Sequence, residues 1–593
     1  MIMPADTILH RLHAVAAARP EAPAYHHKVD GAWKSTSWGQ YVAEVRQATR
    51  ALVADGFAPG QVVCILGFNR PEWVVLDLAA MAAGGAPAGI YITSSAEEVH
   101  YIVHHAEAPV VLVENEGQWE KIRQVRDRLP ALKRVVMMRG GGKVDDPMVM
   151  EWDAWLARGD TVPDSVVDER MGALAPEQLA TLIYTSGTTG PPKGVMLSHE
   201  NLAWTAGQAV GLVHLDADDI NLSYLPLSHI AEQMFTIHAP ISSGGQVYFA
   251  ESMEKMPANL QEVRPTVLFG VPRVWEKFHA KVSAKLADAT GLKATLVAWA
   301  RGVAARVHAA RNEGREPGGL DGLQYGVAKR VIFGKLHGAM GLDRVKVMVS
   351  GAAPISAEVL EFFATLDLPI REVYGQSEGS GPTSFNAPGN TRFGTVGPAF
   401  PGCEVKLGPD QEILLRGPNV FLGYYKDPAA TADTLIEGWL HSGDLGSFDD
   451  RGFLSIIGRK KEILITSGGK NIAPKNIEAA LKDIDIVGEA VVIGDKRRYL
   501  AALLTLDPDA VTRLAGELGV PAEQVGDHPK VRERLQAGVD RVNEQVSRVE
   551  GVKRFVVLPA PFQPGDELTP TLKVKRKRVN EKYAAVIESM YVE

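Results

Sequence analysis

One string constrains this chain more than any other: Tyr184-Thr185-Ser186-Gly187-Thr188-Thr189-Gly190-Pro191-Pro192-Lys193-Gly194-Val195. The apolar run Thr181-Leu182-Ile183-Tyr184 predicts a strand feeding it. Ser198, with Glu200 in the following turn, predicts a capped helix just beyond it. A Gly/Ser/Thr loop between such elements offers backbone N–H groups at close approach together with hydroxyl donors. A polyphosphate requires both. Lys193 adds a point charge. The loop is not of the Walker A type, because the spacing G-x-x-x-x-G-K-[ST] does not occur in the chain.

The rest of the chain repeats the strand-loop-helix theme. Val62-Val63-Cys64-Ile65-Leu66-Gly67 and Val110-Val111-Leu112-Val113 read as buried strands. Arg344 to Val349 reads as another strand. It is followed by Gly351 and Pro354, then by Ser356 as an N-cap and by Val359, Leu360, Phe362 and Phe363 as a helix face. The class is α/β, in layers. Residues 279–340 differ: Ala, Lys, Arg and His dominate, Trp299, Val303 and Val307 fall four apart, and Gly314 is a stop, so a helical insertion is expected, with ordinary helical packing of the same domain as the alternative. Asp449-Asp450-Arg451-Gly452 is a hairpin turn between apolar segments. The charged Arg459-Lys460-Lys461-Glu462 follows it. The expected division is a large domain over 1–458 and a small one over 459–593. At 593 residues the chain is too long for one ordinary domain, and size statistics allow roughly two to five.

Composition narrows the class of function. A net charge of −8 argues against a nucleic-acid partner, which calls for a basic field. Two cysteines, Cys64 and Cys403, exclude a disulfide framework and a four-cysteine zinc site, and they fit a reducing cytoplasm. Residues 1–20 carry His10, Arg11, His13 and Arg19 and form no secretory signal. The most apolar stretch, Trp73 to Ile92, is interrupted by Asp77, Gly84, Gly85, Pro87 and Gly89. It reads as a buried strand-helix segment rather than a membrane span. The basic run Lys573-Val574-Lys575-Arg576-Lys577-Arg578 is the feature that leaves peripheral contact with anionic lipid open.

The Tyr184–Val195 string resembles the phosphate loop of the adenylate-forming (AMP-binding) superfamily, which holds acyl-CoA synthetases, luciferases and peptide-synthetase adenylation domains. Further segments match that family in order. They are Tyr224-Leu225-Pro226-Leu227-Ser228-His229, Gly351-Ala352-Ala353-Pro354, Tyr374-Gly375-Gln376-Ser377-Glu378, Trp439-Leu440-His441-Ser442-Gly443-Asp444, Gly458-Arg459-Lys460-Lys461-Glu462, Thr466-Ser467-Gly468-Gly469-Lys470-Asn471 and Leu568-Thr569-Pro570-Thr571-Leu572-Lys573. The resemblance implies layered α/β subdomains in the large domain and a mobile small α/β domain.

It also implies roles. Thr185 to Gly190 and Lys193 would hold the ATP phosphates. Gly351, Ala352, Ala353, Tyr374, Gly375 and Gln376 would hold adenine, with Tyr374 stacked on the base. Ser377 would contact phosphate, and Glu378 with Thr185 would bind Mg²⁺, a hard cation suited to carboxylate and phosphate oxygen. Asp444 would accept from the ribose hydroxyls and Arg459 would reach the nucleotide. His229 would border the acyl pocket and Lys461 would be the hinge. Gly468, Gly469 and Lys470 would join the site for the step that uses coenzyme A. Lys573 would bridge carboxylate and α-phosphate, with Lys575 and Lys577 open as alternatives by register.

The implied reaction joins a carboxylic acid to coenzyme A through an acyl-adenylate, at the expense of ATP. Within the superfamily the chain looks most like long-chain fatty acid–CoA ligases, on Val271-Pro272-Arg273-Val274-Trp275-Glu276-Lys277, the helical insertion and the long C-terminal domain. Its expected partners are fatty acid, ATP and CoA, with a homodimer and a membrane surface left open. Two rivals remain: a free-standing ligase that loads a carrier protein, and a catalytically idle nucleotide- or acyl-binding protein.

Overall fold

The computed structural model describes residues 6–185, 191–468, 470–563, 565–569 and 573–592. Ser186, Gly187, Thr188, Thr189, Gly190 and Gly469 lie outside the described residues. The apolar runs of the sequence become strands buried on both faces. In Val62–Leu66, Val63 and Ile65 face one core, while Val62, Cys64 and Leu66 face another. A parallel strand between two layers needs this alternation without a polar side.

Among the described residues, that strand belongs to an eight-stranded sheet. Its order is Gly423–Tyr424, Lys193–Ser198, Leu179–Thr185, Ala86–Ile90, Val62–Leu66, Val110–Val113, Arg134–Met137, Val149–Glu151. A second eight-stranded sheet runs Gly381–Phe385, Ile370–Gln376, Val347–Ser350, Val267–Gly270, Ile220–Ser223, Gln246–Phe249, Pro23–Val29, Ala32–Ser37. The helix Pro71–Ala82 is buried at every position. It shares a core with Val63, Ile65 and Ile183 of the first sheet and Tyr25, Val247 and Phe249 of the second. The stretch Trp73–Ile92 is therefore a helix and then a strand inside the protein. Among the described residues no helix is long and apolar enough to cross a membrane.

Among the described residues a five-stranded antiparallel sheet follows. In it Trp439–Phe448 pairs with Leu454–Arg459 across the turn 449–452. Asp449 Oδ1 accepts from the N–H groups of Arg451 and Phe453 at 2.8 and 2.9 Å, and Gly452 takes the left-handed conformation the turn needs. Beyond Arg459 a short 3₁₀ turn, Lys460–Glu462, leads to the smaller domain. There Val487–Ile493, Leu500–Leu506 and Val552–Val557 form a sheet, and Pro474–Lys482 and Pro529–Gln545 close its core. The whole is mixed α/β, with a large N-terminal and a small C-terminal domain.

Between strands Val267–Gly270 and Val347–Ser350 lie the helices Pro272–Ala287, Gly291–Asn312, Gly319–Ala328 and Gly334–Met340. Val303 and Val307 are buried there, as their spacing predicts, but Trp299 on the same side of the helix is exposed. The first two turns of Gly291–Asn312 run past the elements that cover the rest.

Candidate active site

The site grows from strand ends. Strand Leu179–Thr185 pairs antiparallel with Lys193–Ser198, which sets Thr185 opposite Lys193 at the two feet of the Gly/Ser/Thr loop. Ser198 then caps the helix His199–Val213 through a reciprocal box with Asn201. At the end of Val347–Ser350 the chain turns through Gly351, where a Cβ would lie 2.6 Å from Val373 Cγ1. Ala352 is held at φ +67°, a strained value for a residue with a Cβ. Gly375 is required more strictly, since a Cβ there would meet the Gly381 carbonyl oxygen at 1.7 Å.

These turns border one cavity of about 1230 Å³. Thr185, Lys193, His229, Ala352, Ala353, Tyr374, Gly375, Gln376, Ser377, Glu378, Asp444, Arg459, Lys461 and Lys573 all line it. Gly351 sits next to this lining. Among the described residues Gly468 and Lys470 do not line it. They sit on an exposed turn of the small domain, where the Thr466 N–H donates to the Lys470 carbonyl at 3.0 Å.

Several contacts organise the polar part. Asp444 is buried, accepting from the Tyr374 hydroxyl at 2.9 Å and from Arg459 Nε at 3.1 Å. Glu378 Oε1 accepts from the Tyr424 hydroxyl at 2.8 Å, and the Lys193 ammonium lies 4.6 Å from the centre of the Tyr424 ring. Gln376 lines the cavity, and its amide nitrogen is buried without a hydrogen-bond partner among the described residues.

Lys573 reaches the cleft from the small domain. The Lys573 N–H donates to Thr569 Oγ1 at 3.0 Å and the Thr569 N–H donates to the Lys573 carbonyl at 2.8 Å, which ties the two residues together. The side chain is open to the cavity itself, yet protein surrounds the cavity. Loss of bulk water, and then the cations Arg459 and Lys475, push its pKa down to about 8, against the pull of Asp444 and Glu462. His229 is driven down to about 4 by burial and then by Lys573, so it is neutral. Its Nδ1 accepts from the Ala231 N–H at 3.1 Å, which leaves Nε2 as the protonated nitrogen. Lys577 turns away to Glu581, and Lys575 donates to the Gly565 carbonyl at 3.4 Å.

Two contributors escaped the reading of the sequence. Tyr424 joins Lys193 to Glu378, and its only signal was the Gly-Tyr-Tyr run after Leu422. Glu412 is buried and accepts from the Gly443 N–H at 2.9 Å and from the Lys460 ammonium at 3.2 Å. It thereby anchors both the segment carrying Asp444 and the turn that leads into the small domain. No local pattern marked it.

A model of the AMP-binding enzyme family matches residues 12–425, and one of the AMP-binding enzyme C-terminal domain matches 461–593. The chain belongs to the AMP-binding enzyme family. Among curated relatives of this AMP-binding enzyme, "Long-chain-fatty-acid--CoA ligase ACSBG2" of Xenopus laevis is 40% identical, over 94% of this chain and 80% of that protein. The protein of the same name from Homo sapiens is 37% identical, over 96% and 90%. Among solved structures, the A domain of a carboxylic acid reductase from Segniliparus rugosus, in complex with AMP and a co-purified carboxylic acid, superposes with a TM-score of 0.73. It is 21% identical, over 99% of this chain and 94% of that one. The anthranilate CoA ligase AuaEII, with anthranoyl-AMP, gives 0.71 at 19% identity over 99% of both chains. At these identities the solved structures speak for the fold.

Proposed function

We propose that this chain is an AMP-forming acyl-CoA synthetase for long-chain fatty acids. It would make a carbon–sulfur bond in two steps, through an acyl-adenylate. The observation that carries the reading is Lys573: a C-terminal ammonium faces His229, Asp444 and Arg459 across the cavity that Thr185 and Lys193 also border.

The first step joins two anions, carboxylate and triphosphate, so the site must supply positive charge and fixed donors where charge builds up. Lys193 and the loop 185–190 cradle the phosphates. Lys573 neutralises the carboxylate and α-phosphate, and Nε2–H of neutral His229 donates toward the acyl end. Asp444 holds the ribose, and Tyr374 and Gln376 hold the base. Glu378, oriented by Tyr424, and Thr185 fit a hard divalent cation that takes its other ligands from phosphate and water. Mg²⁺ bound there would withdraw charge from the phosphate oxygens. No nucleophile on the protein is needed, and positioning and electrostatics suffice.

In the second step the small domain, 459–593, turns about Lys461. Lys573 leaves and the 468–470 turn arrives, where glycine lets the thiol arm of CoA pass close to the backbone.

An apolar limb of the same cavity supports the long-chain reading. Val267 and Phe269 on one strand register with Val347 and Val349 on the next, so all four share one sheet face over a depth of roughly 7 Å. Leu212 and Val213 of the helix His199–Val213, and Leu215 beyond it, line the cavity as well. Peripheral contact with a membrane surface belongs to this reading, because long-chain acids partition into lipid. The test is a chain-length series with ATP and CoA, following pyrophosphate release and thioester mass. Best turnover on acetate or an aryl acid would refute the substrate class. Adenylate that accumulates and does not turn over on adding CoA would refute the acceptor and favour a carrier protein.

A further inference from the structure

We infer that the helical insertion docks on an anionic lipid surface through its own apolar rows. This names the surface for the membrane contact in the proposed function, and it rests on geometry outside the catalytic cavity. Leu320, Leu323, Val327 and Val331 follow one another at steps of three, four and four residues along the helix that starts at Gly319, so they form one stripe. Leu320 and Leu323 are 69% and 70% exposed, and the two valines are about half exposed. The other side of this helix is anchored: Ala328 and Phe333 pack on Ala300 and Ala304, and the Tyr325 hydroxyl donates to Asp367 at 2.6 Å. The outward stripe is therefore bare on a helix that is already fixed in place. The neighbouring helix Gly291–Asn312 adds a second row, Leu292, Leu296 and Trp299, of which Leu292 is 76% exposed. Seven large apolar side chains bared on two packed helices need a partner.

Charge identifies it. Residues 279–340 hold ten Lys or Arg against four Asp or Glu, in a chain whose net charge is −8. Lys285, Lys293, Lys329, Arg330 and Lys335 are exposed along the same helical segment. Exposed leucines and a tryptophan in a segment rich in exposed lysine and arginine suit the boundary between acyl chains and anionic headgroups. Apolar insertion and charge attraction there supply the two signals that stable peripheral binding requires.

The experiment floats the full chain with phosphatidylcholine vesicles, with and without phosphatidylserine. The expected result is binding to the phosphatidylserine vesicles that high salt weakens, and a loss of about tenfold in affinity for the double variant Leu320→Ser, Leu323→Ser. A second readout does not depend on that variant. Cys64 and Cys403 are buried, so a Leu323→Cys chain accepts a polarity-sensitive dye at one site. Its emission should shift to the blue on phosphatidylserine vesicles, while a dye at Glu523→Cys on the small domain should not move. Three outcomes overturn the inference: no binding to anionic vesicles, binding and emission that ignore these substitutions, or burial of the Leu323 dye in a second copy of the chain without lipid. Vesicle binding needs no turnover, so failure here leaves the catalytic reading standing, and the reverse also holds.

Discussion

The Tyr374 hydroxyl and Arg459 Nε grip opposite oxygens of Asp444, at 2.9 and 3.1 Å, although the three residues sit on strands 70 and 15 positions apart. One buried carboxylate thus ties the strand Ile370–Gln376 to the last strand before the small domain. Ribose hydroxyls arriving at Asp444 would meet an acceptor whose direction two donors already fix.

Asp444→Asn should therefore weaken ATP rather than the acid. The amide keeps the shape but leaves Arg459 without its counter-charge, and the KM for ATP should rise about tenfold with a smaller change in the KM for the acid. Steady-state kinetics with each substrate varied checks this. An equal rise in both constants would argue for a general loss of structure.

Lys573 sets a pH limit. The proposed adenylation step uses its charge, its pKa in the free protein is pushed down to about 8, and it is protonated below that value. The kcat/KM for adenylate formation should hold below pH 8 and fall as pH rises through it, since kcat/KM reports the free enzyme. Lys573→Arg keeps its charge at every working pH, so whatever activity it retains should lack that falling limb. Lys573→Ala should cut adenylation by about 10²–10³-fold while largely sparing thioester formation from supplied acyl-adenylate. Equal loss of both half-reactions would contradict the division of labour.

Tyr424→Phe removes the hydroxyl that orients Glu378 and keeps the ring beneath Lys193. The expected effect is a several-fold higher requirement for Mg²⁺, measured by titrating the metal at fixed ATP, with the KM for the acid nearly unchanged.

Phe235 stacks on Phe269 across the apolar limb, with ring centres 4.7 Å apart and planes within 10°. The pair is pinned from behind: Asn221 Nδ2 donates to the Phe235 carbonyl at 2.6 Å and the Tyr224 hydroxyl to the Phe269 carbonyl at 2.6 Å. Phe235→Ala should widen the limb and shift the optimum toward longer or branched acids, with discrimination changing about 10–200-fold. An acid series that keeps its order would remove Phe235 from specificity.

Asp77 lies fully buried in the helix Pro71–Ala82, and neither carboxylate oxygen has a hydrogen-bond partner among the described residues. Burial raises its pKa well above the usual carboxylate range. Because the folded state holds a proton that the unfolded chain gives up, stability falls as pH climbs from the unfolded value toward the folded one. Asp77→Leu should raise the midpoint of thermal unfolding and remove that slope, a gain of roughly 1–3 kcal/mol at neutral pH. A lower midpoint would mean that the carboxyl group has a structural role.

The order of chemistry along this chain was already present in its residues. A glycine-rich loop after a strand, a glycine that admits no Cβ, and a serine that caps a helix are local facts. Their partners lie within a few positions, as Ser198 and Asn201 or Thr569 and Lys573 show. Strands such as Val110–Val113 could be read because burial on both faces leaves an unbroken apolar run. The alternation of strands and helices likewise determined the α/β class. Tertiary structure alone decided which distant groups meet. Tyr424 reaches Glu378 across 46 residues, and Glu412 reaches Lys460 across 48. A lone tyrosine or glutamate carries no pattern, and such contacts depend on how whole sheets stack. The same holds for exposure: the spacing of Trp299, Val303 and Val307 placed them on one side of a helix, but only packing determined that the valines are covered and the tryptophan is not. Periodicity states which side chains share a face, and burial depends on what the rest of the chain brings to that face.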